Sequence, residues 1–334
     1  MIFYCFNLIV VFYITNGQQR NYNFFMPDLP SLYSSLSSSS SSNSIIRKTH
    51  SFTTRTFTKI NLLGGPFNVK LYCNTNVNNN YTSVDVETEQ SIHKLISIDI
   101  EQNDTLTIRM IENFNIPNKT NITLFIIYQQ LNELQIDGMI NIQCVNQIQT
   151  NIFRLQSRGS GSIKLKLNVN KLDAYLHSIG YVKLCGEVND EAILKSLGVG
   201  DVECRNLLTK KIYVISSGIG NMYITAIDEI NITLSGIGTV YYSEVNDEAI
   251  LKSLGVGDVE CRNLLTKKIY VISSGIGNMY ITAIDEINIT LSGIGTVYYS
   301  GPLKENINTG LGSISEIPNV LSSNNQQLIN KDLD

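Results

Sequence analysis

The side chains best suited to acid–base chemistry are two identical pairs of carboxylates. Asp201 and Glu203 stand in the stretch GDVEC, and the same letters recur around Asp258 and Glu260. Enzymes that cleave polysaccharides use clustered carboxylates of this kind. The two pairs lie three repeats apart in the repeating fold derived below, about 14 Å at about 4.8 Å per repeat, too far for a paired-carboxylate mechanism. We predict no catalytic residues and no enzyme, with a carbohydrate-active lyase or hydrolase as the alternative.

Cysteine and histidine usage predicts neither a metal site nor a disulfide framework. Outside the leader, an odd number of cysteines remains at uneven spacing without C-x-x-C: Cys73, Cys144, Cys185, Cys204 and Cys261. The three histidines, His50, His93 and His177, are far apart in the sequence. Cys144, Cys204 and Cys261 are expected to be small hydrophobes of the core. A bridge between Cys185 and Cys204 stays a minor alternative, and no cofactor or metal is predicted.

A third set of side chains occurs once per repeat and forms an outward column. Its members are Lys164, Lys183, Glu203, Tyr223, Tyr241, Glu260, Tyr280 and Tyr298. Tyrosine combines a flat apolar ring with a polar tip, so the tyrosines with Glu203 and Glu260 are the candidate binding residues for an extracellular glycan or protein. The alternative is a structural ladder that contributes up to about 1 kcal/mol per pair.

An internal duplication shows which elements position these residues. The 57 residues from 187 to 243 recur without change at 244–300. Within each copy, Gly-x-Gly pairs recur about every 17–21 residues. The second glycines are Gly161, Gly180, Gly200, Gly220, Gly238, Gly257, Gly277, Gly295 and Gly312. We predict that each pair forms a corner between two strands, where a side chain would collide with neighbouring repeats or φ must be positive. No helix pattern follows the glycines, which argues against a phosphate-binding loop.

The residues after each corner alternate between apolar and outward types. Two places after the second glycine, every repeat carries Ile, Val or Met, as at Val202, Met222 and Val240. This period of two is typical of a strand with one buried face. Repeats of this length cannot bury that face alone and must stack. We predict an all-β fold, a right-handed, single-stranded parallel β-helix (β-solenoid) of about ten coils of 17–21 residues, preceded by a small β-rich cap.

The chain resembles the family described as putative auto-transporter adhesin, head GIN domain. The stretches RTFTKINLLGGPFNVKLY, NDTLTIRM, LNELQIDG and SGIGTVYYSGPLKENINTGLGSISE carry the resemblance, which extends over roughly 54–317. It implies a right-handed β-helix behind a β-rich cap and a role in adhesion, with no catalytic residues to transfer. The duplication, the serine tract and the sequons depart from the family pattern.

Composition divides the chain into five segments. They are a signal peptide at 1–17, a serine-rich disordered linker at 18–48, the cap at 49–130, the solenoid at 131–317 and a flexible tail at 318–334. An uncleaved leader would instead anchor the chain to a membrane, and only then is membrane association expected.

Charge and sequons limit the partners and the location. With a net charge of −4 and no basic cluster, nucleic acid is excluded as a partner. Sequons begin at Asn80, Asn103, Asn118, Asn121, Asn231 and Asn288. With the leader, they predict a secreted or cell-surface glycoprotein. We therefore predict a non-catalytic β-solenoid that acts as an adhesion, ligand-binding or structural extracellular module.

Overall fold

The structure is a computed structural model of the 334-residue chain. It describes residues 4–5, 8–9, 14–15, 18–19, 44–52, 55–75, 81–101, 103–111, 120–243, 247–261 and 266–318. Most of the predicted signal peptide and serine-rich linker, and the predicted tail from residue 319, lie outside the described residues. The chain divides into two units, 1–42 and 43–334.

The first unit contains two antiparallel pairs of very short strands. β1 (Tyr4–Cys5) pairs with β2 (Leu8–Ile9), and β3 (Ile14–Thr15) pairs with β4 (Gln18–Gln19).

The second unit begins with a cap of six strands and one 3-10 helix. The strands are β5 (Ile45–Phe52), β6 (Lys59–Cys73), β7 (Thr82–Glu89), β8 (Ile96–Glu101), β9 (Thr105–Met110) and β10 (Ile122–Tyr128), and the helix is Ile92–Leu95. β5 and β10 flank β7 in antiparallel pairings, and β8 pairs antiparallel with β9. β5 starts at Ile45, so strand structure begins four positions before the predicted cap boundary at residue 49.

The remaining strands form the solenoid. They are β11 (Glu133–Cys144), β12 (Ile148–Ser196), β13 (Val202–Cys204), β14 (Leu207–Ser216), β15 (Met222–Thr225), β16 (Glu229–Leu234), β17 (Val240–Ser243), β18 (Glu248–Ser253), β19 (Val259–Glu260), β20 (Thr266–Ser273), β21 (Met279–Leu291), β22 (Thr296–Ser300), β23 (Leu303–Asn308) and β24 (Ser313–Glu316). β12 is 49 residues long because its chain continues around successive coils without a break in strand geometry.

Successive coils pair in parallel, and this confirms the predicted β-solenoid. It has about nine turns, where the sequence predicted about ten coils. The apolar residue two places after each corner lies opposite its equivalent in the next coil. This register runs through Val182, Val202, Met222, Val240, Val259, Met279 and Val297. These side chains are at most 3% exposed, so the column is the core. A chain with this repeat buries its apolar face only by stacking equivalent positions.

The solenoid starts within the segment predicted to be the cap. β6 pairs in parallel with β11 from Lys59 to Leu71, with Ile60 opposite Leu134 and Val69 opposite Ile142. The register shifts between Asp137 and Met139, where β6 carries the extra glycine of Gly64–Gly65. The cap and the coils therefore share one continuous sheet.

The corners have the geometry that requires glycine. At Gly220, φ is +142°, a conformation that L side chains rarely adopt. A Cβ atom there would lie against the carbonyl oxygen of Gly200 in the preceding coil. φ is also positive at Gly161, Gly180, Gly200, Gly238, Gly257, Gly277 and Gly295. At Gly312, only the lack of space requires glycine, because an added Cβ would meet the carbonyl oxygen of Gly295.

Candidate binding face

The outward column lies on the strands that follow the corners. Strands β13, β15, β17, β19, β21 and β22 each contribute one member, because side chains alternate between core and solvent along a strand. The register places Glu203 opposite Tyr223, Tyr241 opposite Glu260, and Tyr280 opposite Tyr298. Lys183 lies opposite Glu203 one coil earlier, and Lys164 lies opposite Gln143. The candidate residues therefore form one straight row along the solenoid.

Four tyrosines of the row form two stacked pairs. The Tyr223 and Tyr241 rings have centroids 4.9 Å apart and planes inclined by 6°. The Tyr280 and Tyr298 rings are 4.7 Å apart and inclined by 11°. Glu260 lies between the two pairs in the register, so the aromatic ladder is interrupted.

Arg205 covers the free end of the first pair. Its guanidinium carbon lies 3.9 Å from the centroid of the Tyr223 ring, and its Nε is 3.6 Å from Oε1 of Glu203. The guanidinium is thus held between a carboxylate and an aromatic face, a cation–π arrangement. Sequence reasoning missed Arg205. Its spacing could have identified it, because a residue two positions after Glu203 lies on the same side of the chain. Its copy, Arg262, is outside the described residues.

The stacking changes what the column presents to a ligand. The partners of each tyrosine lie along the solenoid axis, so the rings turn their faces largely toward one another rather than outward. Tyr223 has Tyr241 on one face and Arg205 on the other. Tyr241 is 39% exposed, and Tyr223, Tyr280 and Tyr298 are half-buried. The surface therefore consists mainly of ring edges and hydroxyls, not the flat apolar faces on which the sequence argument relied.

Buried residues of the core lie next to the column along each strand. Cys204, Ile224 and Tyr242 lie opposite one another one residue further along each strand and are buried. Burial raises the pKa of the Cys204 thiol to about 12. Burial also raises the pKa of the Cys261 thiol and of the Tyr242 hydroxyl. All five cysteines outside the leader are free thiols, and Cys144 is half-buried rather than fully inside.

The carboxylates considered for catalysis do not form a cluster. Oδ1 of Asp201 accepts a hydrogen bond from the backbone N–H of Asn221 at 2.8 Å, and Oδ1 of Asp258 accepts one from Asn278 at 2.6 Å. These two carboxylates thus hold the corners of adjacent coils together. Glu203 and Glu260 are separated by three coil steps, about 14 Å. That separation exceeds the range of about 5–9.5 Å used by paired carboxylates in glycoside hydrolysis.

Within the part of the chain that the structure describes, no group of three His, Cys, Asp or Glu side chains could hold a metal ion. His93 contacts the strand that carries His50, since its Nε2 lies 3.1 Å from the carbonyl oxygen of Ile46, and burial lowers the pKa of His50. Two shallow grooves on the coil faces have volumes of 160 and 210 Å³. A wider depression of 590 Å³ lies at the C-terminal end, beside Pro302 and Glu316. The grooves are smaller than typical small-molecule sites of about 300–1,000 Å³.

The sequons differ in their surroundings. Asn103 and Asn121 are exposed, whereas Asn231 and Asn288 are half-buried outward residues of β16 and β21. Nδ2 of Asn288 donates a hydrogen bond to Oε1 of Glu286 at 2.8 Å. Asn80 and Asn118 lie outside the described residues.

Among the described residues, no helix has the length and apolar character needed to span a membrane.

The fold and the face define a class of protein: a parallel β-solenoid whose candidate site is a row of surface side chains along the stack. The chain belongs to the family "Putative auto-transporter adhesin, head GIN domain", whose model matches residues 56–246 and 244–302. The resemblance predicted from the sequence is thereby confirmed. The family indicates a role in adhesion or binding, at a cell surface or outside the cell.

Several solved structures are similar to this chain over most of its length. One is described as a "putative adhesin" from Bacteroides fragilis (20% identity, 82% of this chain, 99% of that chain, TM-score 0.35). Another, from Parabacteroides distasonis, is also described as a "putative adhesin" (16% identity, 82% and 98% coverage, TM-score 0.43). A third, from the same species, is described as a "putative lipid binding protein" (14% identity, 81% and 97% coverage, TM-score 0.40). No curated protein matches the sequence.

Proposed function

We propose that the chain is a secreted or cell-surface, non-catalytic adhesin that binds glycans through the outward column. Membership of an adhesin family supports the adhesive role. The observation that carries the choice of ligand is the polarity of the column. Each carboxylate, Glu203 and Glu260, is followed along the column by two tyrosines, at the coil spacing of about 4.8 Å.

A hydroxyl-rich polymer suits this surface better than a protein does. Tyrosine hydroxyls donate and accept hydrogen bonds, and ionised carboxylates accept them from sugar hydroxyls. Stable protein interfaces instead have an apolar, fully buried centre. One face of each tyrosine in the column is stacked on another tyrosine, and Arg205 covers the second face of Tyr223, so few ring faces are open to form such a centre. The open, regular row can contact several sugar units of one chain at once, and this multivalency raises the avidity.

The proposal is tested with a variant in which four tyrosines become serine: Tyr223, Tyr241, Tyr280 and Tyr298. Labelled full-length protein is applied to a glycan array and to cultured cells. We expect loss of glycan binding and of cell adhesion, while the β-sheet circular dichroism signal is retained, because the column lies outside the core.

Two control variants locate the effect. The first replaces four outward tyrosines at other positions with serine, namely Tyr175, Tyr181, Tyr213 and Tyr270. The second replaces Lys164 and Lys183 with glutamine. Both should bind like the wild type. Adhesion that survives in the column variant would place the site elsewhere. Protease-sensitive adhesion to cells without any binding on the array would indicate a protein ligand and contradict the glycan proposal.

A further inference from the structure

A second row of side chains, distinct from the outward column, crosses the corners themselves. At seven successive corners, the residue before the second glycine forms an isolated parallel bridge with its equivalents in the neighbouring coils. Its members are Ile179, Val199, Ile219, Ile237, Val256, Ile276 and Ile294, and we name this row the corner ridge. Six coil steps of about 4.8 Å make it about 29 Å long.

Every member of the corner ridge is aliphatic and exposed. The exposed fractions range from 45% at Val199 to 62% at Ile179. Leu197 and Leu254, one position before the glycine pair, widen the apolar surface. A β-branched side chain suits an extended backbone, but threonine would satisfy that preference without exposing apolar surface. A contiguous apolar patch of this kind marks an interaction surface.

From this we infer that the corner ridge is a self-association surface, on which a second copy of this chain packs in the antiparallel direction about a two-fold axis near Ile237. A ridge with a repeat of about 4.8 Å packs best against a surface with the same repeat, so that side chains interdigitate over its whole length. A second copy presents that repeat by construction. An isologous interface of this kind is closed, so it yields a dimer and not a filament.

The charges beside the ridge fit this arrangement. Along the ridge, the position after each second glycine carries Tyr181, Asp201, Asn221, Thr239, Asp258, Asn278 and Thr296 in successive coils. With Ile237 on the axis, Asp201 of one copy lies level with Asn278 of the other, and Asn221 with Asp258. Carboxylates therefore meet amides and never each other, which avoids like-charge repulsion. No lysine or arginine occupies this row, so the flank does not suit an anionic lipid surface.

The size of the ridge sets the expected affinity. It is a single row of side chains about 29 Å long, narrower than a standard protein interface. A standard stable interface buries about 800 Å² per partner, so this dimer belongs to the small, weak class. We therefore expect a reversible monomer–dimer equilibrium with a dissociation constant in the micromolar range.

Sedimentation velocity of the full-length chain over micromolar to submillimolar concentrations tests the inference. The ridge variant replaces Ile219, Ile237 and Ile276 with threonine. The control variant makes the same change at three exposed isoleucines elsewhere: Ile152, Ile227 and Ile284. We expect the wild type and the control to dimerise alike and the ridge variant to dimerise at least tenfold more weakly. A wild type that stays monomeric, or a ridge variant that dimerises like the control, would overturn the inference.

A cross-linking measurement covers the case in which the ridge variant does not fold. Ile237→Cys places two thiols at the two-fold axis, whereas Ile294→Cys places them far apart in the antiparallel dimer. Mild oxidation should give a covalent dimer of the first and not of the second. Equal cross-linking of both would contradict the antiparallel arrangement. Co-sedimentation with phosphatidylcholine vesicles by a wild type that does not dimerise would show that the ridge meets lipid instead.

Discussion

Tyr223 and Tyr241 stack face to face across neighbouring coils, with ring centroids 4.9 Å apart and planes inclined by 6°. They are 18 residues apart in the sequence and directly opposite each other in the β-sheet register. The contact thus joins two coils through side chains as well as through the backbone. It stabilises the solenoid and also orients the tyrosine hydroxyls of the outward column.

The stack should contribute measurable stability. In a double-mutant cycle with Tyr223→Ala and Tyr241→Ala, we expect a coupling free energy of about 0.5–1.5 kcal/mol, the value for aromatic pairs. Urea denaturation of the four proteins measures it. A parallel cycle between Tyr241 and the distant Tyr175 should give a coupling near zero. Equal coupling in the two cycles would show that the stack has no specific effect.

Coil phase should decide whether a deletion is tolerated. Removing 244–300 joins Ser243 to Gly301 and keeps every inward column in register, because each coil contacts only its neighbours. A shorter, cooperatively folded protein is expected. A deletion of 244–271 ends in the middle of a coil. Core positions of one coil would then lie opposite outward positions of the next. Calorimetry should show one sharp transition for the first protein and a broad or missing one for the second. Equally cooperative unfolding of both would contradict the stacking register.

Substitutions at one corner and at its neighbouring core position should differ in their cost to stability. Gly220→Val forces a β-branched side chain to φ of +142° and against the backbone of the preceding coil, a cost above about 1–3 kcal/mol. Met222→Leu nearly conserves core volume and should cost less than about 1.5 kcal/mol. Melting temperatures measure the difference, and equal values would argue against the corner geometry.

The buried thiol should make stability depend on alkaline pH. Burial raises the pKa of Cys204 to about 12, whereas in the unfolded chain the thiol ionises near its ordinary value of 9.0. Below pH 9 the thiol is protonated in both the folded and the unfolded state, so its full contribution to the free energy of unfolding is present. As the pH rises from 9 toward 12, only the unfolded chain releases the proton, so the free energy of unfolding falls.

Urea denaturation of the wild type and of Cys204→Ala at pH 7, 9 and 10.5 measures this effect. The variant should be less stable at pH 7 because the substitution leaves a cavity, but its loss of stability above pH 9 should be smaller. Parallel pH profiles for the two proteins would contradict the assigned burial. Reaction of a thiol reagent with Cys204 should likewise require unfolding.

The sequence predicts the parts of the fold that its repeat encodes. The glycine spacing alone aligns Val202 with Met222 and Glu203 with Tyr223, because a β-solenoid converts sequence period directly into sheet register. It does not place β6 in the first coil, since Gly64–Gly65–Pro66 lacks the Gly-x-Gly spacing and pairing of β6 with β11 requires a register shift.

Side-chain directions within the column were harder to predict. A row of tyrosines in the sequence does not reveal whether the rings face the solvent or one another, because both orientations are compatible with the same residue positions. The position of Arg205 over Tyr223 depends on side-chain torsions that the period does not encode. The corner ridge is visible in the sequence as an aliphatic residue before the second glycine of seven successive corners.

The most direct test of the proposed function separates stacking from hydrogen bonding. In the variant with phenylalanine at Tyr223, Tyr241, Tyr280 and Tyr298, the rings and their stacks remain, and only the hydroxyl groups are removed. The measurement is binding of this variant to the glycans that the wild type recognises on the array, with the melting temperature recorded in parallel. The account predicts a melting temperature close to that of the wild type and at least a tenfold loss of glycan binding. Undiminished glycan binding by the phenylalanine variant would contradict it.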